Sequence, residues 1–534
     1  MKRVSQHSHL SRLGQLLAES LKRIETYEAE ALARREKDTI HIPTVGNTIS
    51  TAYEQLRNAS EYAEGDLLQQ RAIRRYLKRV LSFHAKIPTT HLADELVAEL
   101  TQAEYLANDH TTKADVKGIA HHIKRYYSAY WDYAENIGDP GKRATFQKWT
   151  LDVLAVRCEQ ILQSHVRQLM FAHFAYTYLY EKVDTKKILK NKEKFDHEDM
   201  SLILYVAIHR ALLKSDNATI RAALIDSYGR DIDNINEFEA FNQKLDDLLV
   251  AQTTVYMTRI VSKNGAALRF IYTGFFSKDA PLTDQSLKSP ESLEQNLHRH
   301  IELEYKALDK RLDTGIVRSI IFLLITKGLV GFAVEVPYDL FNSGRIIWSA
   351  FCVNLFFPAI FIAFTRLTLS TPIDRNTTAV IRQVSSLLFE EDHNVYLIRM
   401  QKDTSSVVFN TVYAVLFMLV FAGLIYILYL IQFNVVQGVI FFVFLSTASF
   451  LAFRLSRQIH ELEAVNTPQG TLSLLRDVVY MPFIAVGQQI SYRYSQVNIV
   501  ATILDILIEL PLKTILRLIR QWAQFLNQKR DELI

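Results

Sequence analysis

Charged and apolar positions interleave along the chain up to about residue 310 and segregate after it. From Ile316 onward the apolar residues gather into runs, the longest of which, Thr404 to Phe453, contains no Asp, Glu, Lys, Arg or His. As one helix that run would measure roughly 75 Å at 1.5 Å per residue. A hydrocarbon core is about 30 Å thick and takes about 20 residues per crossing. The run therefore predicts two membrane helices, 407–431 and 435–453, divided at Gln432, Phe433 and Asn434. Two more are predicted at 316–334 and 346–365, with Pro337 and Gly344 between them.

The earlier part predicts a different object. Leu10, Leu13, Leu16, Leu17, Leu21 and Ile24 recur at helical spacing, and Ile73, Tyr76, Leu77, Val80 and Leu81 do the same opposite a basic face. Further helices are expected over 51–64, 89–107, 113–137, 142–182, 200–214, 218–227 and 234–262. Turn signals such as Gly138-Asp139-Pro140-Gly141 lie between them. Residues 1–290 thus read as a helical region with an internal break near 183–199, and 291–315 as a linker helix entering the membrane. The tail, 454–534, carries an amphipathic helix at 512–526. Leu512, Ile515, Leu516, Ile519 and Trp522 form its apolar face, and Lys513, Arg517 and Arg520 its basic one, a pattern that suits a membrane interface. Whether 478–510 enters lipid is open at this stage.

Charge orients the bundle. The stretch after the second predicted span carries Arg366, Arg375, Arg382, Arg399 and Lys402, against Arg345 alone in the connection before that span. Positive residues favour the cytoplasmic side, so both termini are expected there. The N-terminal sequence lacks the apolar centre of a secretory signal, in keeping with that orientation.

Composition narrows the rest. With 17 Gly and 11 Pro the chain is poor in turn-formers, which favours long helices. A net charge of +4 over 534 residues gives no concentrated basic surface, so no nucleic-acid partner is expected. The 2 cysteines, Cys158 and Cys352, lie far apart and exclude a disulfide framework.

Lys327 is the most unusual residue, since it falls near the middle of the first predicted span. A lysine there costs about 2.5–3.5 kcal/mol on an insertion scale, and such residues face a partner or a water-filled cavity. Its candidate partners are Glu335, eight residues on, or Asp505 and Glu509 if their segment enters the bilayer. The functional alternative is an ion or solute path; the structural one is a single pairing that fixes helix register. Asp505 and Glu509, one turn apart, have no further ligands at a metal-binding spacing and fit a solvated stripe. The basic face Arg71, Arg74, Arg75, Lys78 and Arg79 is a candidate contact for anionic lipid, as are Lys513, Arg517 and Arg520. It equally fits an ordinary surface helix. Tyr126, Tyr127, Tyr130, Trp131 and Tyr133 fit core packing. Zinc-protease, calcium-loop, phosphate-loop and nucleophile-elbow spacings are absent, so no metal, cofactor or enzymatic activity is expected.

The expected fold is all-α: a helical cytosolic region, four transmembrane helices in two hairpins, and a cytoplasmic or interfacial tail. The expected role is a membrane-anchored scaffold that binds a protein partner. The alternative is an oligomeric channel or small-solute transporter using Lys327.

Overall fold

The computed structural model describes residues 10–35, 38–42, 65–83, 85–183, 196–368, 374–390, 407–464, 480–490 and 522. Among the described residues the regular structure is all helix, joined by turns and short connections, with no strand; Thr39 and Thr112 form an isolated bridge. In chain order the helices are α1 (Arg12–Arg35), α2 (Gly65–Val80), α3 (Leu92–Gln102), α4 (Lys113–Asn136), α5 (Pro140–Leu162) and α6 (Val166–Lys182). Then come α7 (His197–Ile208), α8 (Asn217–Tyr228), α9 (Ile235–Val250), α10 (Gln252–Lys263) and α11 (Ala266–Ile271). After them lie α12 (Pro290–Val330), α13 (Val336–Ser343), α14 (Trp348–Thr368), α15 (Asp374–Phe389), α16 (Val407–Leu430) and α17 (Val435–His460).

Helix α5 is the centre of the N-terminal region. Asp139 caps it through the Gly141 amide, and Pro140 sits at the start, where its missing N–H costs nothing. Its residues Trp149 to Glu159 are buried without interruption, so it is wrapped on all sides. Such a helix can carry charge only where neighbours answer it. Asp152 receives Arg74 at 2.6 Å, and Arg157 donates to Asp226 at 2.6 Å and to Asp231 at 3.5 Å. Tyr126 completes this cluster by donating to Asp231 at 2.5 Å. Burial alone pushes the Asp231 carboxyl up, but the Tyr126 hydroxyl, the Ile232 amide and the two guanidiniums of Arg157 and Arg125 hold it below the ordinary range. The aromatic set on α4 is core: Tyr133 stacks on Phe146 with centroids 3.9 Å apart, and Phe83 meets Tyr130 edge-on at 4.7 Å.

Two helices expected to be continuous are divided. The pattern over 142–182 breaks at Gln163–His165, and that over 234–262 breaks at Ala251, which takes an extended ψ of 139°. At the second break the Thr254 hydroxyl donates to the Leu248 carbonyl at 2.6 Å, which takes up an acceptor at the end of α9. The hydrophobic period runs through both breaks, so periodicity could not reveal them.

Among the described residues, four helices are long and apolar enough to cross a membrane: Pro290–Asn342, Trp348–Arg366, Thr411–Leu430 and Val435–His460. The first departs from expectation. Rather than stopping before Pro337, the helix runs on through it to Ser343, by way of a π-turn at Gly331–Glu335. Proline lacks an N–H and crowds the carbonyl four residues back. The wider π-turn, closed by the Val336 amide on the Gly331 carbonyl, lets the chain pass that point.

The segments that flank the apolar helices are built into the N-terminal core. Leu293, Leu297 and Ile301 of α12 lie in it, as do Val380, Val384, Leu387 and Leu388 of α15. Ser11 donates its amide to the Leu388 carbonyl at 2.9 Å, and Gly14 is required beside it because a Cβ would run into that oxygen. Beyond α17, Glu461 accepts Lys214 at 2.8 Å on each oxygen, and its carbonyl accepts Arg269. Asn376 of α15 donates to the Leu462 carbonyl at 2.9 Å and accepts the Ala464 amide at 2.7 Å.

Residues 480–490 form a short helix against the apolar bundle. Phe483 is buried there, with its ring 5.1 Å from Phe421 of α16 and 6.4 Å from Phe442 of α17. Gly487 lies so near α17 that a Cβ would collide with the Ser446 carbonyl. Part of the stretch left open in the sequence thus packs beside the mid-portions of the apolar helices.

Candidate functional site: a polar network among the apolar helices

Lys327 lies eleven residues past Ile316, roughly 16 Å along the helix, a length about half the 30 Å thickness of a hydrocarbon core. It is 2% exposed. Its ammonium donates to the Asn354 side-chain oxygen of α14 at 2.5 Å. It also stands 4.5 Å from the ring centroid of Phe444 and 5.9 Å from that of Phe441, both on α17. Aromatic faces attract a cation most strongly where water is excluded.

Asn354 joins three helices. Its amide nitrogen donates to Glu335 Oε1 at 2.7 Å and to the Gln437 carbonyl at 3.4 Å. The amide therefore stands between the lysine and the carboxyl group and turns opposite polarity to each. Pro358, four residues on in α14, withdraws the amide that would otherwise bond the Asn354 carbonyl, so the helix is locally loosened at the network.

The network continues to the ends of α13 and α17. Asp339 accepts Asn434 at 2.6 Å, Gln437 at 2.9 Å and the Ile347 amide at 3.4 Å. Asn434 and Gln437 also form the capping box that starts α17: the Gln437 amide donates to Asn434 at 2.8 Å, and the Asn434 amide donates to Gln437 at 3.2 Å. One pair of side chains thus both begins α17 and holds Asp339. Lys327, Glu335, Asp339, Asn354 and Gln437 are all buried. Glu335 Oε2 is a buried oxygen with no hydrogen-bond partner among the described residues.

Toward the other end of the bundle the lining turns apolar. Leu323 and Ile316 of α12 pack with Ile362 of α14 and Ala448 of α17. At the edge of the apolar stretch Arg366 donates to Asp313 at 2.7 Å and to Asp309 at 3.2 Å, tying α14 back to α12.

Of the residues singled out by sequence, Lys327 and Glu335 are brought into one network, with Asn354 between them. Asp505 and Glu509 lie outside the described residues, as do Lys513, Arg517 and Arg520. In the basic face of α2, Arg74 is held by Asp152 and Arg79 by Glu99, both at 2.6 Å. Arg71 and Arg75 are half-buried with interactions of their own, and Lys78 is exposed. Sequence reasoning missed Asp339, Asn354, Asn434 and Gln437. Their signal was slight: Asn354 is a lone amide inside an apolar run, and the other three sit at run boundaries, where polar residues are ordinary. Among the described residues no group of three or more His, Cys, Asp or Glu side chains is placed to hold a metal ion.

No protein-family model matches the chain, and no curated protein or solved structure matches it either.

Proposed function

We propose that the protein is a multi-pass membrane scaffold: four membrane helices in two hairpins, with the N-terminal helical region on the cytosolic face presenting a surface to a protein partner. The observation that carries this reading is the way the membrane helices are anchored. Chain entering the first span, chain between the second and third, and chain leaving the fourth are all part of the N-terminal core. A region fixed at three places is held at a set height and orientation over the bilayer, as a docking platform needs. The basic residues Arg366, Arg375, Arg382, Arg454 and Arg457 fall at that end, which supports a cytosolic location. The basic amphipathic sequence 512–526 would rest on anionic lipid of the same leaflet.

The test is reconstitution of the full chain in liposomes, with ion and small-solute flux measured alongside protein capture from cytosol. A scaffold gives flux equal to that of empty liposomes and retains a defined soluble partner. Conductance from a ring-like oligomer would overturn it in favour of transport. That second reading is favoured by one observation, the polar network leading from Asp339 to Lys327 at mid-depth.

A further inference from the structure

We propose that Glu335 is a proton-binding site within the membrane, its neutral carboxyl group carrying the proton that the buried set of Lys327, Glu335 and Asp339 needs. Fully ionised, Lys327, Glu335 and Asp339 would sum to −1 in a place closed to water, each being no more than 2% exposed. An uncompensated buried charge is costly, and a buried group sheds it by protonation.

Among the described residues, no other element supplies the missing positive charge. Helix α14 gives Asn354 to the network, and its Cys352 is exposed. Helix α17 gives Gln437, and between Val435 and Phe453 it has no ionisable residue. Arg345, in the connection before α14, is exposed, and Tyr338 is only half-buried. Within this described set one proton restores neutrality, and hydrogen bonding says where. Asp339 accepts three donors, the arrangement of a carboxylate. Lys327 faces an amide oxygen and two aromatic faces, all of which favour the cation. Glu335 accepts at Oε1 alone, while Oε2 is buried without a partner among the described residues. Oε2 is the atom free to carry the proton. The π-turn that ends at Glu335 places this carboxyl group beside Asn354 and one turn from Asp339.

The proposal rests on the bilayer placement above; failure of that placement shows as recovery of the chain without detergent, separately from the readouts that follow. The experiment is infrared spectroscopy of the full chain in lipid nanodiscs at neutral pH, with its thermal melting midpoint. Carbon-13-labelled glutamate should place a carboxylic-acid carbonyl band on glutamate, well above the pH where exposed glutamate, with a pKa of about 4.3, has ionised. Glu335→Gln should remove that band and keep the wild-type midpoint, since one neutral group replaces another. Lys327→Met should lower the midpoint. The proposal is overturned if wild type shows no glutamate acid band, or if the band survives in Glu335→Gln. It is equally overturned if Glu335→Gln melts as early as Lys327→Met, which would mark an ionised Glu335 balancing the lysine. A midpoint raised by sodium chloride over choline chloride, without the acid band, would replace the proton by a bound cation.

Discussion

Replacing Asn354 by leucine should cost far more than removing an amide from a water-exposed helix. The residue is fully buried and serves Lys327, Glu335 and the Gln437 carbonyl at once. Hydrogen bonds between membrane helices are individually weak, averaging about 0.6 kcal/mol, so three of them account for about 2 kcal/mol. The larger consequence is that the Lys327 ammonium loses its one hydrogen-bonded acceptor among the described residues while two phenylalanine rings remain. Stranding a buried charge costs about 3–5 kcal/mol. The leucine variant should therefore be destabilised by about 3–5 kcal/mol. The companion Lys327→Met/Asn354→Leu should recover the part of that cost that belongs to the stranded ammonium, while Glu335 Oε1 and the Gln437 carbonyl still lack the Asn354 donor. Equilibrium unfolding of the full chain in mixed detergent micelles measures both. A leucine variant within 0.5 kcal/mol of wild type, or a double variant no better than the single one, would refute the view that Asn354 holds the lysine charge.

Other consequences are simpler to state. Acid should destabilise the N-terminal region through His209, whose pKa burial pushes down to about 4 from an ordinary 6.5. The neutral ring is favoured in the fold, so its contribution is complete above pH 6.5 and disappears as pH falls toward 4, by about 3 kcal/mol in all. His209→Gln should flatten that part of the stability–pH curve, and an unchanged slope would count against it. Gly487→Leu should cost at least 1–3 kcal/mol, because the new side chain meets the Ser446 carbonyl across a close helix contact; a wild-type melting midpoint would show that 480–490 does not pack there. Glu461→Gln should weaken the tie to Lys214 by about 1 kcal/mol in a double-mutant cycle with Lys214→Met, and a coupling of zero would remove that anchor from the account.

The sequence made the four apolar helices legible because desolvation leaves a long signature: charge is absent over three of the spans and limited to Arg318 and Lys327 in the first. The division of Thr404–Phe453 was readable for the same reason, and Gln432 there adopts a left-handed φ of 65°. What stayed hidden depends on local geometry or on neighbours distant in sequence. Pro337 signalled a stop, yet the π-turn before it carries the helix onward. Lys327 announced itself by cost alone; its contact, Asn354, looked like one tolerated amide, and nothing in sequence aligned Asp339 with Gln437 at 2.9 Å. The ends of α5 and α9 were invisible because apolar period continues past them. In α2, pattern identified the basic face, but only structure shows Asp152 and Glu99 reaching Arg74 and Arg79.

The central claim is that the four apolar helices cross a bilayer with the N-terminal region on its cytosolic side. Its most direct measurement is impermeant-thiol labelling of single cysteines in sealed inverted vesicles, with the native cysteines replaced. The account predicts that Lys310→Cys and Thr378→Cys label from the outside of those vesicles, while Asn342→Cys labels only after the membrane is opened. Labelling of all three without opening, or the reverse order, would contradict it.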